Sequence, residues 1–111
     1  MKHSDILRTN CLRHFYDRVR KRIGPHVDPH VFARLIVEEM KKGGDSPALL
    51  FIARLGGGCA RRVWRVTIGG TNHFIIYDHQ LNAPVTVLLP SWTIRVARKN
   101  RFRHLHLENY L

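Results

Sequence analysis

Three short runs of alternating hydrophobic and polar residues occupy positions 61–90, and turn-forming residues separate them. The apolar positions of the first two runs recur at every second residue, at Trp64, Val66, Ile68, Phe74 and Ile76. Gly69 and Gly70 lie between these runs, and glycine readily takes the positive φ that a two-residue hairpin turn needs. The third run stops at Pro90. This pattern predicts an antiparallel meander.

Two helices are predicted before the meander, because apolar residues there recur at spacings of three and four. The first covers residues 4–23 and ends at Gly24, which suits a left-handed cap. The second covers residues 29–42, with Asp28 as its N-cap and Pro29 as its first helical residue.

The segments on either side of the meander have more than one interpretation. Residues 48–55 form an apolar run of strand length, and a short buried helix would give the same pattern. In residues 91–111, Ser91 could cap a helix, but positions 102–107 alternate like a strand, so this segment has no single assignment. We expect a single α+β domain of residues 1–111. Its two N-terminal helices would pack on a four-stranded antiparallel sheet of about residues 48–90, followed by a basic C-terminal tail.

Charge is the most informative feature of the composition. Nineteen lysines and arginines oppose eight aspartates and glutamates, which gives a net charge of +11. Such an excess favours a polyanionic partner, and we expect RNA, although a basic surface without a specific partner is the alternative.

Several other classes of protein are disfavoured. Two cysteines are too few for a disulfide scaffold. No apolar run approaches the roughly 20 residues of a membrane span, and the first ten residues lack the apolar segment of a signal peptide. A membrane-surface protein is also disfavoured, because the apolar stripe of the first helix is better explained as core. We therefore expect a cytoplasmic protein without membrane association.

Three basic residues of the first helix form one row beside its apolar face. His14, Arg18 and Arg22 are spaced four residues apart, so they follow one another along the helix surface. We call these three residues the cationic row. The row would line a groove between helix and sheet, or its side chains would bury their stems and keep their charged ends in water.

The candidate chemistry is metal-independent. The eight carboxylates are scattered, and the chain has no HExxH motif, CxxC pair or EF-hand loop, so we expect neither a metal nor a cofactor. Cleavage of RNA without a metal uses the 2′-hydroxyl of the substrate as the nucleophile. The protein supplies a base, an acid and cations around the charged transition state, and this chain is rich in such groups.

Two stretches of the sequence resemble a known group of nucleases. Residues 14–24 follow the pattern H-x3-R-x3-R-x-G, and residues 63–90 read VWRVTIGGTNHFIIYDHQLNAPVTVLLP. Together they resemble the phage-type members of the barnase–EndoU–colicin E5/D–RelE-like ribonuclease superfamily, over roughly residues 10–90. The resemblance implies helices on a four-stranded antiparallel sheet. It also implies a metal-independent endoribonuclease, encoded by a phage or mobile element, that acts on cellular RNA as a toxin or effector.

The resemblance also implies roles for particular residues. His14 would act as general base or acid, Arg18 would hold the scissile phosphate, and Thr86 would orient it. Sheet geometry adds Tyr77 as a catalytic candidate and Arg65 as an RNA contact, on a face shared with Thr86. Each has a structural alternative: a good strand residue for Thr86, a packing residue for Tyr77 and a solvated strand residue for Arg65.

The remaining expectations concern partners. The predicted nucleic-acid contacts are Arg22, Arg65, Arg98, Lys99 and Arg101. A toxic enzyme would also need restraint, so an acidic inhibitor or a host protein is a further expected partner. The alternative function is a non-enzymatic phage protein that uses the same scaffold to bind a host protein or nucleic acid.

Overall fold

The computed structural model describes residues 2–43, 45–56, 60–98 and 101–111. Two helices are followed by six strands and a final 3₁₀ helix. In chain order these are α1 His3–Arg22, α2 Pro29–Met40, β1 Leu49–Arg54, β2 Arg61–Ile68, β3 Thr71–Asp78, β4 Ala83–Leu88, β5 Thr93–Arg98, β6 Arg101–His106 and the 3₁₀ helix Leu107–Tyr110.

The predicted ends of the helices reflect local capping. A carboxylate oxygen of Asp28 accepts hydrogen bonds from the backbone N–H groups of His30, at 2.9 Å, and Val31, at 3.3 Å, while Pro29 opens α2. This confirms the predicted N-cap. At the end of α1, the N–H of Gly24 donates to the carbonyl of Val19 at 3.0 Å, with a φ of +124° that favours glycine.

The first four strands form one antiparallel sheet in the order β1-β2-β3-β4, so the predicted meander is confirmed. Gly69 and Gly70 both have positive φ, at +59° and +78°, and form the turn between β2 and β3. Segment 48–55 contains strand β1, so the alternative of a short helix there is wrong.

A bulge interrupts the pairing of β3 with β4. Ile76 lies opposite Thr86 and Tyr77 lies opposite Pro84, which leaves Val85 without a partner across the ladder. An extra residue on one strand reverses the face that the following residues occupy. Beyond the bulge, Thr86 therefore lies on the face opposite to that of Tyr77.

Two buried clusters lie on the two faces of the sheet. The cluster that includes helix residues, here the helix-side cluster, contains Phe15, Val19, Phe32, Ala33, Ile36, Leu49, Trp64, Val66, Ile75, Tyr77 and Val87. The other, here the hairpin-side cluster, contains Val63, Phe74, Leu88 and Leu107. Partly buried Ile94 and Tyr110 pack against the hairpin-side cluster, so β5 and the 3₁₀ helix cover that face.

The segment predicted as a basic tail is organised as secondary structure. Strands β5 and β6 pair antiparallel as a separate two-stranded sheet, and the 3₁₀ helix follows directly. Val96, Leu105 and Leu107 are buried. Of the two interpretations of this segment, the helical one is wrong for residues 93–98 and 101–106, and the alternation noted at 102–107 corresponds to β6. In the part of the chain that the structure describes, no helix is long and apolar enough to cross a membrane.

Candidate functional site

The cationic row lies where α1 runs along β4, the outer strand of the sheet. Phe15 and Val19 anchor α1 in the helix-side cluster, which fixes the rotation of the helix about its axis. The cationic row occupies the neighbouring side of the same helix. Its position therefore follows from the apolar spacing of α1 and from the strand that α1 covers.

Arg22 connects the end of this row to the sheet. Its Nη1 donates to the hydroxyl of Thr86 at 3.1 Å and also to the backbone carbonyl of Val87. Its guanidinium carbon lies 4.6 Å from the centre of the Trp92 ring. The charged end of Arg22 is therefore bound to protein groups and not held in water, so the alternative of an extended, solvated side chain is wrong for this residue.

His14 is the exposed member of the row and has an unusual charge environment. Partial burial lowers its pKa below the usual 6.5, and the positive charges of Arg18, Arg22 and Arg61 lower it further. The negative charge of Asp17 raises the pKa of His14, but its effect is smaller than that of Arg18 or Arg22. His14 is therefore neutral near pH 7, and a neutral imidazole can accept a proton.

Arg18 lies between the two other members of the row. Its Nη1 is 3.0 Å from a carboxylate oxygen of Asp17, which also pairs with Lys21 at 3.2 Å. The hydrogen bond from Lys21 is the main reason why the pKa of Asp17 lies below its usual value. The side chain of Arg18 retains 29% of its accessible surface, so its guanidinium can still contact a phosphate.

Arg61 belongs to the same cluster, although the sequence analysis did not single it out. Its Nε lies 3.4 Å from a carboxylate oxygen of Asp78, its Nη2 lies 4.0 Å from the sulfur of Cys11, and its charge acts on His14. The pairing of Arg61 with Asp78 could have been predicted from the sequence. The two-residue turn at Gly69 and Gly70 fixes the register of the hairpin, and that register places Arg61 opposite Asp78.

The expectation that Tyr77 shares a face with Arg65 and Thr86 is wrong, whereas Arg65 and Thr86 do lie on one face. Tyr77 is 1% exposed and belongs to the helix-side cluster. Arg65 lies opposite Phe74, a member of the hairpin-side cluster, and Thr86 lies opposite Ile76 on that same face. The β2–β3 register separates Arg65 from Tyr77, and the bulge separates Thr86 from Tyr77.

Arg65 also has a structural partner. Its Nη1 donates to the backbone carbonyl of Tyr110 at 2.6 Å, and its buried Nε has no partner among the described residues. Its guanidinium therefore connects the 3₁₀ helix to β2.

A second basic surface lies on the hairpin of β5 and β6. The register places one set of side chains on the face away from the core, all of them exposed: Thr93, Arg95, Phe102, His104 and His106. The guanidinium carbon of Arg95 lies 3.5 Å from the centre of the Phe102 ring, and Phe102 is 62% exposed. Of the predicted contacts here, Arg101 is exposed, whereas the side chain of Arg98 and all of Lys99 lie outside the described residues.

Within the described ranges, no group of three histidine, cysteine, aspartate or glutamate side chains is arranged to hold a metal ion. Comparisons of the chain with models of protein families, with curated proteins and with solved structures find no match. The relationship to the ribonuclease superfamily therefore stays a hypothesis based on the two sequence stretches.

Proposed function

We propose that this protein binds RNA and cleaves it without a metal ion, with His14 as the general base. The observation that carries the proposal is the setting of His14. A neutral imidazole lies at the surface, and the positive charges of Arg18, Arg22 and Arg61 act on it. A base surrounded by cations suits a substrate whose reacting group is a phosphodiester.

In this mechanism the nucleophile belongs to the RNA. His14 takes the proton of a 2′-hydroxyl, whose oxygen attacks the adjacent phosphorus. The bond from phosphorus to the 5′-oxygen breaks, and that oxygen leaves with a proton supplied by solvent. The products carry a 2′,3′-cyclic phosphate and a 5′-hydroxyl. Arg18 and Arg61 stabilise the negative charge that accumulates on the phosphate oxygens.

Arg22 and Thr86 have positioning roles in this account. The guanidinium of Arg22 is bound to the hydroxyl of Thr86 and to the carbonyl of Val87, so it anchors the last turn of α1 to β4. This contact fixes the orientation of the helix side that bears His14 and Arg18. Accurate placement of a base and its neighbouring cations contributes much of the rate of such a reaction.

The outer face of the β5–β6 hairpin would supply affinity for the RNA. Arg95 adds positive charge, and the exposed ring of Phe102 offers a surface on which a base can stack. Trp92 precedes β5 and contacts Arg22, so it connects the hairpin to the cationic row. An RNA strand would therefore run from the hairpin past Trp92 to His14.

A second candidate function is binding without cleavage. It is favoured by the ion pairs of the two arginines that would stabilise the phosphate: Arg18 pairs with Asp17, and Arg61 pairs with Asp78. In that case the hairpin would bind RNA, or the basic surface would bind an acidic host protein. An acidic inhibitor and a phage or mobile-element origin belong with the first proposal, and they rest on the resemblance alone.

Incubation of purified protein with mixed cellular RNA in EDTA separates the two candidates. We expect the wild type to degrade the RNA, His14→Ala to be inactive, and the control His3→Ala, which changes an exposed histidine at the start of α1, to be as active as the wild type. Equal degradation by His14→Ala and wild type would contradict the mechanism. Binding with no degradation by any variant would favour the second function.

A further inference from the structure

Two adjoining cavities lie on the helix side of the molecule, away from the hairpin. The smaller has a volume of about 240 Å³ and is lined by Arg8, Lys41, Tyr77, His79 and Asn82, with Val37 as an apolar wall. The larger has a volume of about 370 Å³ and shares Arg8, Val37 and Lys41 with the smaller. Together the two are within the range of roughly 300–1,000 Å³ that is usual for small-molecule sites.

The walls of these cavities are positively charged. Arg8, Arg34 and Lys41 contribute three cations, and Glu38 is the one carboxylate among the described residues that line either cavity. A nitrogen of Arg8 donates to the backbone carbonyl of Asn82 at 3.3 Å, which holds this guanidinium at the smaller cavity. The excess of positive charge favours an anionic ligand.

Tyr77 lies in the wall of the smaller cavity. The residue is 1% exposed. Burial raises its pKa to about 12, so the hydroxyl keeps its proton and is a hydrogen-bond donor near pH 7. A protonated hydroxyl in the wall of a cationic cavity can donate to an oxygen of an anionic ligand.

His79 adds a second neutral donor beside Tyr77. The indole N–H of Trp64 donates to Nε2 of His79 at 3.0 Å, so the proton of a neutral His79 is on Nδ1. Burial is the main reason why the pKa of His79 is below its usual 6.5, and the imidazole is therefore neutral near pH 7. The smaller cavity thus combines two cations with two neutral donors.

The larger cavity has the features of a nucleoside site. The rings of Tyr16 and His30 line it, with their centres 4.1 Å apart, beside the apolar side chain of Leu12. Aromatic and apolar walls suit the face of a base, and polar groups such as Glu38 suit its edge.

We propose that these cavities bind a nucleoside monophosphate group, with the phosphate against Arg8, Lys41 and the hydroxyl of Tyr77 and the nucleoside beside Tyr16. The group would come from a free nucleotide or from the phosphorylated end of an RNA. This site is separate from the cationic row and does not depend on cleavage by His14.

Calorimetric titration of the full chain tests the site. The probes are the four nucleoside 5′-monophosphates, the matching nucleosides, and one oligoribonucleotide with and without a 5′-phosphate. We expect the monophosphates to bind and the nucleosides to bind at least tenfold more weakly. Tyr77→Phe removes one hydroxyl and keeps the buried ring, so it should weaken binding by roughly tenfold.

Matched variants control for indirect effects. Lys41→Gln should weaken binding by a similar factor, whereas Lys21→Gln on the exposed side of α1 and Tyr110→Phe on the other face of the sheet should not. His14→Ala should bind as the wild type does, which separates this site from the proposed cleavage. Binding of the phosphorylated oligonucleotide alone would assign the ligand to an RNA end. The proposal is overturned if no phosphorylated probe binds, or if Tyr77→Phe and Lys41→Gln both bind with wild-type affinity.

Discussion

Arg22 and Thr86 are joined by a hydrogen bond of 3.1 Å between residues that are 64 positions apart in the sequence. The same nitrogen of Arg22 also donates to the carbonyl of Val87 on the outer strand of the sheet. One side chain therefore connects the last turn of the first helix to the last strand of the meander. The orientation of His14 and Arg18 on that helix depends in part on this connection.

Thr86→Val should lower the free energy of unfolding only modestly. The substitution keeps the branched side chain that suits a strand and removes one hydrogen bond, which is typically worth about 0.5–1.5 kcal/mol. Arg22→Ala removes both hydrogen bonds and the contact with Trp92, so its loss should be larger, at about 1–3 kcal/mol. Urea denaturation followed by circular dichroism measures both changes.

Thr86→Ser is the matched control for this contact, because it keeps the hydroxyl. We expect its stability to be closer to that of the wild type than that of Thr86→Val. Arg20→Ala controls for loss of a charge from the same helix, since Arg20 is exposed. If Arg22→Ala lowers the free energy of unfolding no more than Arg20→Ala does, the guanidinium of Arg22 does not anchor the helix.

The pKa of His14 should respond to its neighbours in a defined direction. Burial and three arginines lower it in the folded protein. NMR titration of the wild type should place it below 6.5, and removal of a nearby positive charge in Arg18→Ala or Arg61→Ala should raise it. Arg13→Ala, which changes an exposed arginine next to His14 in sequence, should move it less. No difference between these three variants would contradict the proposed charge cluster.

The lowered pKa of His14 also predicts the pH dependence of cleavage. A base must be unprotonated to act, so the rate falls as the pH drops through the pKa of His14. The acidic limb of the profile of kcat/KM should lie below pH 6.5 in the wild type and move to higher pH in Arg61→Ala. If the acidic limb of the profile does not move in Arg61→Ala, a group other than His14 is responsible for that limb.

Stability should decrease in mildly acidic solution. Burial lowers the pKa values of His73 and His79 in the folded protein, so the unfolded chain binds protons at a higher pH than the folded one does. The free energy of unfolding is therefore highest above the unfolded pKa of about 6.5 and falls as the pH drops below it. Urea denaturation at about pH 7.5 and pH 5.5 measures this loss.

His73→Gln tests the source of this acid sensitivity. Glutamine does not titrate, so the difference in stability between the two pH values should be smaller than in the wild type. Asp28 and Glu39 have lowered pKa values, so they also stabilise the folded protein. They lose this contribution to stability only at a lower pH and do not affect the comparison of the two pH values. An equal or greater loss in His73→Gln would contradict the role of His73.

RNA affinity should depend on the aromatic ring at the exposed end of the hairpin. Base–aromatic stacking contributes roughly 1–3 kcal/mol per base, so Phe102→Ala should weaken binding of a single-stranded RNA at least several-fold. Phe102→Tyr keeps a ring and should bind like the wild type. Fluorescence anisotropy measures both affinities. Equal binding by Phe102→Ala and Phe102→Tyr would show that the ring does not contact RNA.

Salt dependence tests the charge of Arg101, which is exposed at the start of β6. Each phosphate contact with a single strand contributes roughly 0.7 to the slope of log affinity against log salt concentration. Arg101→Gln should lower the slope by about this amount if Arg101 contacts a phosphate. Arg20→Gln, on the exposed side of α1, should leave the slope unchanged. Equal slopes for both variants would remove Arg101 from the interface.

The parts of the fold that local chemistry determines were predictable from the sequence. Asp28 and Pro29 marked the start of α2, and Gly69 with Gly70 marked the turn between β2 and β3. That turn also determines which residues face each other across the hairpin, so the partners of Arg61 and Arg65 follow from it. The position of the cationic row followed from helical spacing.

The remaining features depend on contacts between distant segments. The bulge at Val85 leaves no clear mark in the sequence, and it decides that Thr86 and Tyr77 lie on opposite faces. The β5–β6 hairpin lacks a glycine turn signal, so its strands were difficult to tell from a helix. The partner of Arg65 is a backbone carbonyl 45 positions away, which no local pattern indicates.

The chemistry of the product ends tests the central claim most directly. A defined RNA is incubated in EDTA with wild type, His14→Ala and the control His3→Ala, and the products are analysed by mass spectrometry. The account predicts fragments with 2′,3′-cyclic phosphate and 5′-hydroxyl ends from the wild type and the control, and intact RNA with His14→Ala. Fragments with 5′-phosphate ends, equal cleavage by His14→Ala, or intact RNA with the wild type would contradict it.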